Sequence, residues 1–186
     1  TVSIGELLRS GSFEPANLQR EYCWGEPQQT DLMEDLVAQF GRFGFDPEPE
    51  TAIPDKAGGA SADPAFELAA RSPELEKGAP YCLFGNVDLF PEGPVFEIYD
   101  GLQRITTFSV LFAVIRDLLK AKKDDGINTL LVTEKGQFRL SVPMKNDTLE
   151  HDVLTPGRTA RPYKEEPGLT EPGQRLRLCA GIMHDM

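Results

Sequence analysis

Apolar residues at helical spacing predict two helices in the first part of the chain. Ser3 is placed to cap a helix over residues 4–9, which Gly11 would stop. Pro27 suits the first turn of a second helix, where apolar residues recur at helical spacing as far as position 40. The stretch between the helices lacks this period, so we expect it to be extended and turn-like.

Turn residues between apolar runs predict two hairpins further along. Residues 87–90 and 95–99 flank the sequence Pro-Glu-Gly-Pro, which is typical of a tight turn. Residues 130–132 and 138–142 flank Glu-Lys-Gly in the same way. Each pair of runs is therefore expected to form two antiparallel strands.

Two more helices follow from the pattern. The clearest amphipathic helix has apolar residues at helical spacing from Ile105 to Leu119. A last helix is predicted from Gln174, and its pattern continues to Met186. Because the chain also starts without an initiator Met, we expect residues 1–186 to be a single domain from a longer protein.

A segment over residues 44–79 breaks the pattern. It is rich in Pro, Gly and acids, and its eight acidic and three basic residues give a charge of −5. Such a composition buries little apolar area, so we expect an insertion loop that is prone to disorder. The segment holds nearly half of the net charge of −11, and this overall charge argues against a broad footprint on DNA. A local basic cleft elsewhere remains compatible with it.

Composition narrows the class of protein. Hydrophobic residues at 40% and charged residues at 26% are ordinary values for a globular protein. Without a signal peptide or a long apolar run, a cytoplasmic protein that does not enter the membrane is expected. The three cysteines are an odd number without metal-site spacing, which indicates reduced thiols rather than disulfides or zinc.

The most informative stretch runs from Phe96 to Thr107, where an apolar strand enters a glycine turn that opens a helix. A helix N-terminus offers unpaired N–H groups and partial positive charge to a phosphate. Gly101 would give a ligand access to the backbone, and Arg104 would hold phosphate oxygens, helped by the hydroxyl of Thr106 or Thr107. Asp100 would bind a metal ion or cap the helix. The alternative is an ordinary capped helix with a surface arginine.

A second stretch, Phe13 to Trp24, places a Gln-Arg pair beside aromatic residues, a composition suited to a nucleotide ring. Alternatively, Tyr22 and Trp24 are core anchors and Arg20 pairs with a carboxylate. The residues alone favour this second interpretation.

The order of the motifs resembles a known family. Ile-Gly-Glu-Leu-Leu, Phe-x-Pro-x-x-x-Gln-Arg-x-Tyr-x-Trp, Phe-Gly-x-Val and Ile-Tyr-Asp-Gly-Leu-Gln-Arg-Ile-Thr-Thr occur in this sequence in that order. The series resembles the N-terminal domain of GmrSD-type modification-dependent restriction enzymes, which is also found in SspE-like proteins. The similarity extends from Ile4 to about Leu119, and more weakly to the end of the chain.

The resemblance implies an α+β fold of the ParB/sulfiredoxin type, with a small mixed sheet and packed helices, that binds and hydrolyses a nucleoside triphosphate. It implies Mg²⁺, modified DNA and a C-terminal nuclease domain as further partners in phage defence. Residues matching the family motifs would form the site, with Asp100 as the metal ligand: Gln19, Arg20, Gly85, Asp100, Gly101, Gln103 and Arg104.

One position departs from the family pattern. Leu102 stands where the family more commonly has glutamine, and leucine can neither orient water nor contact phosphate. It also lacks the thiolate that a sulfiredoxin-type reductase needs at this position. Two alternatives to a hydrolysing sensor therefore stay open: a nucleotide-dependent DNA-binding or interaction module without turnover, and a degenerate scaffold. His151 and His184 form no nuclease pattern, so we expect no nuclease site in this chain.

Overall fold

The structure is a computed structural model that describes residues 2–17, 19–42, 84–120, 126–142, 149, 153–159 and 171–185. The predicted insertion over residues 44–79 lies outside these residues. Within these ranges, five helices and three strands follow in the order α1 (Ile4–Ser10), β1 (Ser12–Pro15), α2 (Glu26–Arg42), β2 (Asp88–Glu92), β3 (Val95–Asp100), α3 (Leu102–Leu118), α4 (Asn128–Leu131) and α5 (Glu171–Asp185). In the described part of the chain, no helix is long and apolar enough to cross a bilayer.

The N-terminal helix begins at a capping box, as its sequence predicts. The Ser3 hydroxyl accepts the Glu6 backbone N–H at 3.2 Å, and the Glu6 carboxylate accepts the Ser3 N–H at 2.9 Å. After α1 the chain enters the sheet as β1, which pairs with β3. Helix α2 also begins where expected, with Pro27 in its first turn.

The sheet is small and mixed, with strand order β1-β3-β2. Strands β2 and β3 form the predicted antiparallel hairpin, and β1 lies parallel to β3 on its other side. Phe96 and Ile98 of β3 are buried on one face, at 2% and 0% exposure. Helices and a mixed sheet therefore confirm the α+β class.

The second predicted hairpin is mostly wrong. Leu130 and Leu131 belong to α4 rather than to a strand, because both side chains are buried against neighbouring helices. What remains of the hairpin is one antiparallel bridge between Val132 and Phe138. Leu140 instead bridges Phe13 in parallel, which extends the sheet beside β1.

Helix α3 is the centre of the helical layer. It packs against α4 and α5, and α2 packs against α5. Most of its length is buried, including Ile105, Val110 and Ala113 at 0% exposure. Helix α5 begins at Glu171, three positions before the predicted start, and contributes Leu176 and Cys179 to the same core. Packing in both the sheet and the helical layer therefore holds the junction between β3 and α3 in place.

Candidate functional site at the start of helix α3

The turn between β3 and α3 depends on a glycine. Gly101 is the N-cap residue of α3 and has a left-handed φ of 94°. A Cβ at this position would lie 2.9 Å from Cγ2 of Val87. The helix also begins without a side-chain capping hydrogen bond. Among the described residues, no side chain therefore caps the first-turn N–H groups of α3, an arrangement that favours an anion.

Arg104 is fixed beside this turn. Its guanidinium donates to the carbonyl of Phe84 at 3.2 Å and to the Asp100 carboxylate at 3.0 Å. The arginine side chain is 25% exposed and the aspartate 59% exposed. These two contacts fix the Arg104 guanidinium at the N-terminal end of α3, where an anion would also meet the helix dipole.

Gly85 makes room for that guanidinium. It has a left-handed φ of 89°, and a Cβ there would lie 2.1 Å from Nη1 of Arg104. The Phe-Gly motif of the sequence is therefore explained by packing: its carbonyl and its missing side chain together position Arg104. The structure brings Asp100, Gly101, Arg104 and Gly85 together at this turn.

Three hydrogen-bonded links join the two sequence motifs. The Gln19 amide donates to the Tyr99 carbonyl at the end of β3. The Gln103 amide accepts the Cys23 N–H at 2.8 Å and donates to the Glu21 carbonyl at 3.2 Å. The Tyr22 and Thr107 hydroxyls are 2.9 Å apart. The segment that carries Arg20 is thus held against the start of α3.

Four residues of the two motifs have distinct surroundings. Arg20 is exposed and makes no hydrogen bond or ion pair with the described part of the chain. Thr106 is 1% exposed, and its hydroxyl has no hydrogen-bond partner there. The Thr107 hydroxyl is engaged by Tyr22 and by the Gln103 carbonyl. Leu102 is 3% exposed and packs in the core. The ligand contacts predicted for Arg20 and Thr106 stay predictions.

The aromatic residues of the upstream motif are core anchors. Tyr22 is 1% exposed, and Trp24 packs against the core cluster. Burial raises the pKa of the Tyr22 hydroxyl, so it stays protonated. This outcome confirms the interpretation of Tyr22 and Trp24 as core anchors, but not its second part, since Arg20 pairs with no carboxylate in the described part of the chain. The rings do not form an exposed stacking surface for a base.

Sequence reasoning missed a buried polar network under this motif. Gln29 is 0% exposed, and its amide donates to the carbonyls of Trp24 at 3.0 Å and Arg175 at 3.1 Å. The Arg175 guanidinium in turn donates to the Cys23 carbonyl at 2.7 Å. Helix α5 is therefore tied to the segment that Gln103 holds. In the sequence Gln29 is one polar residue near the start of a helix, and nothing in its local pattern indicates that it is buried.

The described side chains could supply only part of the ligands of a magnesium ion. Across the described ranges, no three His, Cys, Asp or Glu side chains gather where they could hold a metal ion. Asp100 offers one largely exposed carboxylate beside the helix start. Since Mg²⁺ in nucleotide sites often uses one or two carboxylates together with phosphate oxygens, Asp100 fits such a role with a bound nucleotide.

Comparison with known proteins gives one family. The model of the GmrSD restriction endonuclease N-terminal domain matches residues 4–167, a range that contains both motifs. Curated proteins gave no match.

Proposed function

Since the chain belongs to the GmrSD restriction endonuclease N-terminal domain family, we propose that it is the nucleoside-triphosphate-binding sensor domain of a modification-dependent restriction enzyme. The turn at Gly101 and the arginine beside it would form the phosphate site. This domain would either recognise the DNA modification itself or take part in its recognition by another part of the protein. Cutting would be carried out by a nuclease domain elsewhere in the full protein.

The position of Arg104 carries the proposal. A guanidinium held between the Phe84 carbonyl and Asp100, at an uncapped helix start, combines fixed charge with backbone donors. Charge-assisted contacts from arginine to phosphate are stronger than neutral hydrogen bonds and can be bidentate. Because two of its bonds already hold it in place, little side-chain entropy is lost when a ligand binds.

Asp100 and Arg20 would complete the site. Asp100 would hold Mg²⁺ together with phosphate oxygens, and the ion would neutralise part of the negative charge of the phosphates. Gln19 and Gln103 would have a positioning role, because both amides bond to backbone atoms and keep the Arg20 segment near the turn. Arg20, exposed on that segment, would contact the nucleotide or DNA.

Binding without turnover is the second candidate, and two observations favour it over hydrolysis. Leu102 points into the core, and both ends of the Gln103 amide are used by the Glu21 and Cys23 backbone. Neither side chain is free to orient an attacking water. Asp100 is then the residue left to do so, and steady-state release of phosphate separates the two candidates.

Calorimetric titration with each magnesium nucleoside triphosphate tests the proposal. Arg104→Ala should weaken the Kd about tenfold or more, since it removes a charge-assisted contact. The Kd of Arg104→Lys should lie between those of the parent and of Arg104→Ala, because lysine keeps the charge without the bidentate fork. Lys135→Ala, which removes one exposed positive charge in a distant turn of the sequence, is the control and should bind as the parent does. Equal affinity of Arg104→Ala and the parent would contradict the phosphate assignment.

A further inference from the structure

One face of the three-stranded sheet points away from the core. Phe96 and Ile98 of β3 face the core, so Glu97 and Tyr99 face the other way. Phe90 of β2 lies opposite Glu97 and shares its side. With Glu14 of β1, which pairs with Glu97, and Glu92, two residues after Phe90, these side chains form what we name the outer sheet face.

Two aromatic rings are exposed on the outer sheet face. Phe90 is 60% and Tyr99 57% exposed. Their ring centroids are 6.4 Å apart and the planes meet at 70°, an edge-to-face arrangement. Paired aromatic rings left this exposed add little to the core, so they point to a contact made with something outside the chain.

Carboxylates surround the rings. Glu14 lies directly opposite Glu97 across the β1–β3 pair, an arrangement of like charges that weakens a sheet. The three strands contain no Lys, Arg or His. Glu97, which accepts the Tyr99 hydroxyl at 3.3 Å, is the main cause that raises the pKa of Tyr99, with Glu92 contributing. The outer sheet face is therefore negative, without a compensating cation on its strands.

We infer that the outer sheet face binds an arginine-bearing segment of a partner protein. A guanidinium can lie on the face of Phe90 or Tyr99 while it bonds to Glu97, and it would relieve the repulsion between Glu97 and Glu14. Nucleic acid would also offer rings to stack, but its phosphates would meet three carboxylates. Charge thus selects a cationic peptide over DNA or RNA.

A labelled Gly-Arg repeat peptide is the probe, titrated into the whole chain by fluorescence anisotropy. Phe90→Ala should weaken its Kd about threefold, and Phe90→Ala with Tyr99→Ala about tenfold. Glu97→Gln should also weaken binding. Its matched control is Glu34→Gln, which removes the same charge from the exposed surface of α2 and should leave the Kd nearly unchanged.

Three results would overturn the inference. Equal weakening by Glu97→Gln and Glu34→Gln would show non-specific attraction to an acidic protein. A Gly-Lys repeat peptide that binds as tightly would exclude a role for the rings, since they favour guanidinium. A single-stranded oligonucleotide that binds more tightly than the peptide, and loses affinity in Phe90→Ala, would identify the face as a base-stacking surface. The variants sit at exposed or partly exposed positions, and their thermal melting should match the parent.

Discussion

At the scale of single residues, the site depends on two glycines and one arginine whose requirements are steric. Gly85 is needed because the Arg104 guanidinium occupies the space of a Cβ, and Gly101 because Val87 does. The sequence indicated both glycines through the motif and assigned Gly101 to ligand access. The structure adds a reason that exists without any ligand, since each glycine adopts a left-handed φ in a crowded place.

Gly101→Ala should destabilise the protein more than Gly93→Ala does. Both glycines have left-handed φ angles, 94° and 61°, but a Cβ at Gly93 would meet nothing within 4 Å. The entropy change of the unfolded chain is shared by both variants, but the backbone strain is larger at Gly101, because 94° lies outside the left-handed range of about 50–70° that a residue with a Cβ adopts. The difference in free energy of unfolding, measured with urea, therefore reports this strain together with the clash with Val87, and we expect it to be about 1 kcal/mol or more. Equal values would show that the turn relaxes freely.

At the scale of elements, buried polar groups tie loops to helices. Arg116 of α3 is 2% exposed; it donates to the Leu154 carbonyl at 2.7 Å and to Asp117 at 2.9 Å. The other Asp117 oxygen accepts the Thr159 hydroxyl at 2.7 Å and its N–H at 3.2 Å. Residues 153–159 are thereby fixed to the end of α3. Burial alone would raise the pKa of Asp117, but the hydrogen bonds from Gly157, Arg116 and Thr159 together lower it.

Asp117→Asn should cost about 3 kcal/mol at neutral pH, because it leaves the buried Arg116 charge without its counter-ion. A carboxyl with a lowered pKa in the folded state stabilises the protein above its unfolded pKa of 3.8 and loses that contribution below it. The gap in unfolding free energy between parent and variant should therefore narrow as the pH falls below that value. Asp35→Asn, at an exposed position of α2, is the control. A gap that stays constant through this range would contradict the role given to Asp117.

The sequence predicted the elements that local rules determine and missed those set by packing. Ser3, Pro27 and the β2–β3 turn act through nearby backbone, and their elements were confirmed. Leu130 and Leu131 have a strand-like composition, but α4 forms because both side chains are buried among helices. The network of Gln29 and Arg175 links residues far apart in the chain, and no local pattern could reveal it.

At the scale of the whole molecule, two motifs separated in sequence by the insertion meet at one helix start. Three links, from Gln19, Gln103 and Tyr22, join them, and α5 is tied to the same segment through Arg175. The family match over residues 4–167 spans both motifs. That the motifs belong together was predictable from their resemblance to the family. The sequence did not predict that Gln103 hydrogen-bonds to backbone atoms or that Leu102 faces the core, because both depend on the orientation of the helix.

Mapping backbone amide shifts by NMR, while each magnesium nucleoside triphosphate is titrated into the chain, tests the central claim most directly. We expect saturable changes that are largest at Gly85 and at the first-turn amides of α3, residues 102–104, and that are lost in Arg104→Ala. Changes that cluster elsewhere, or no saturable change with any triphosphate, would contradict a phosphate site at this turn.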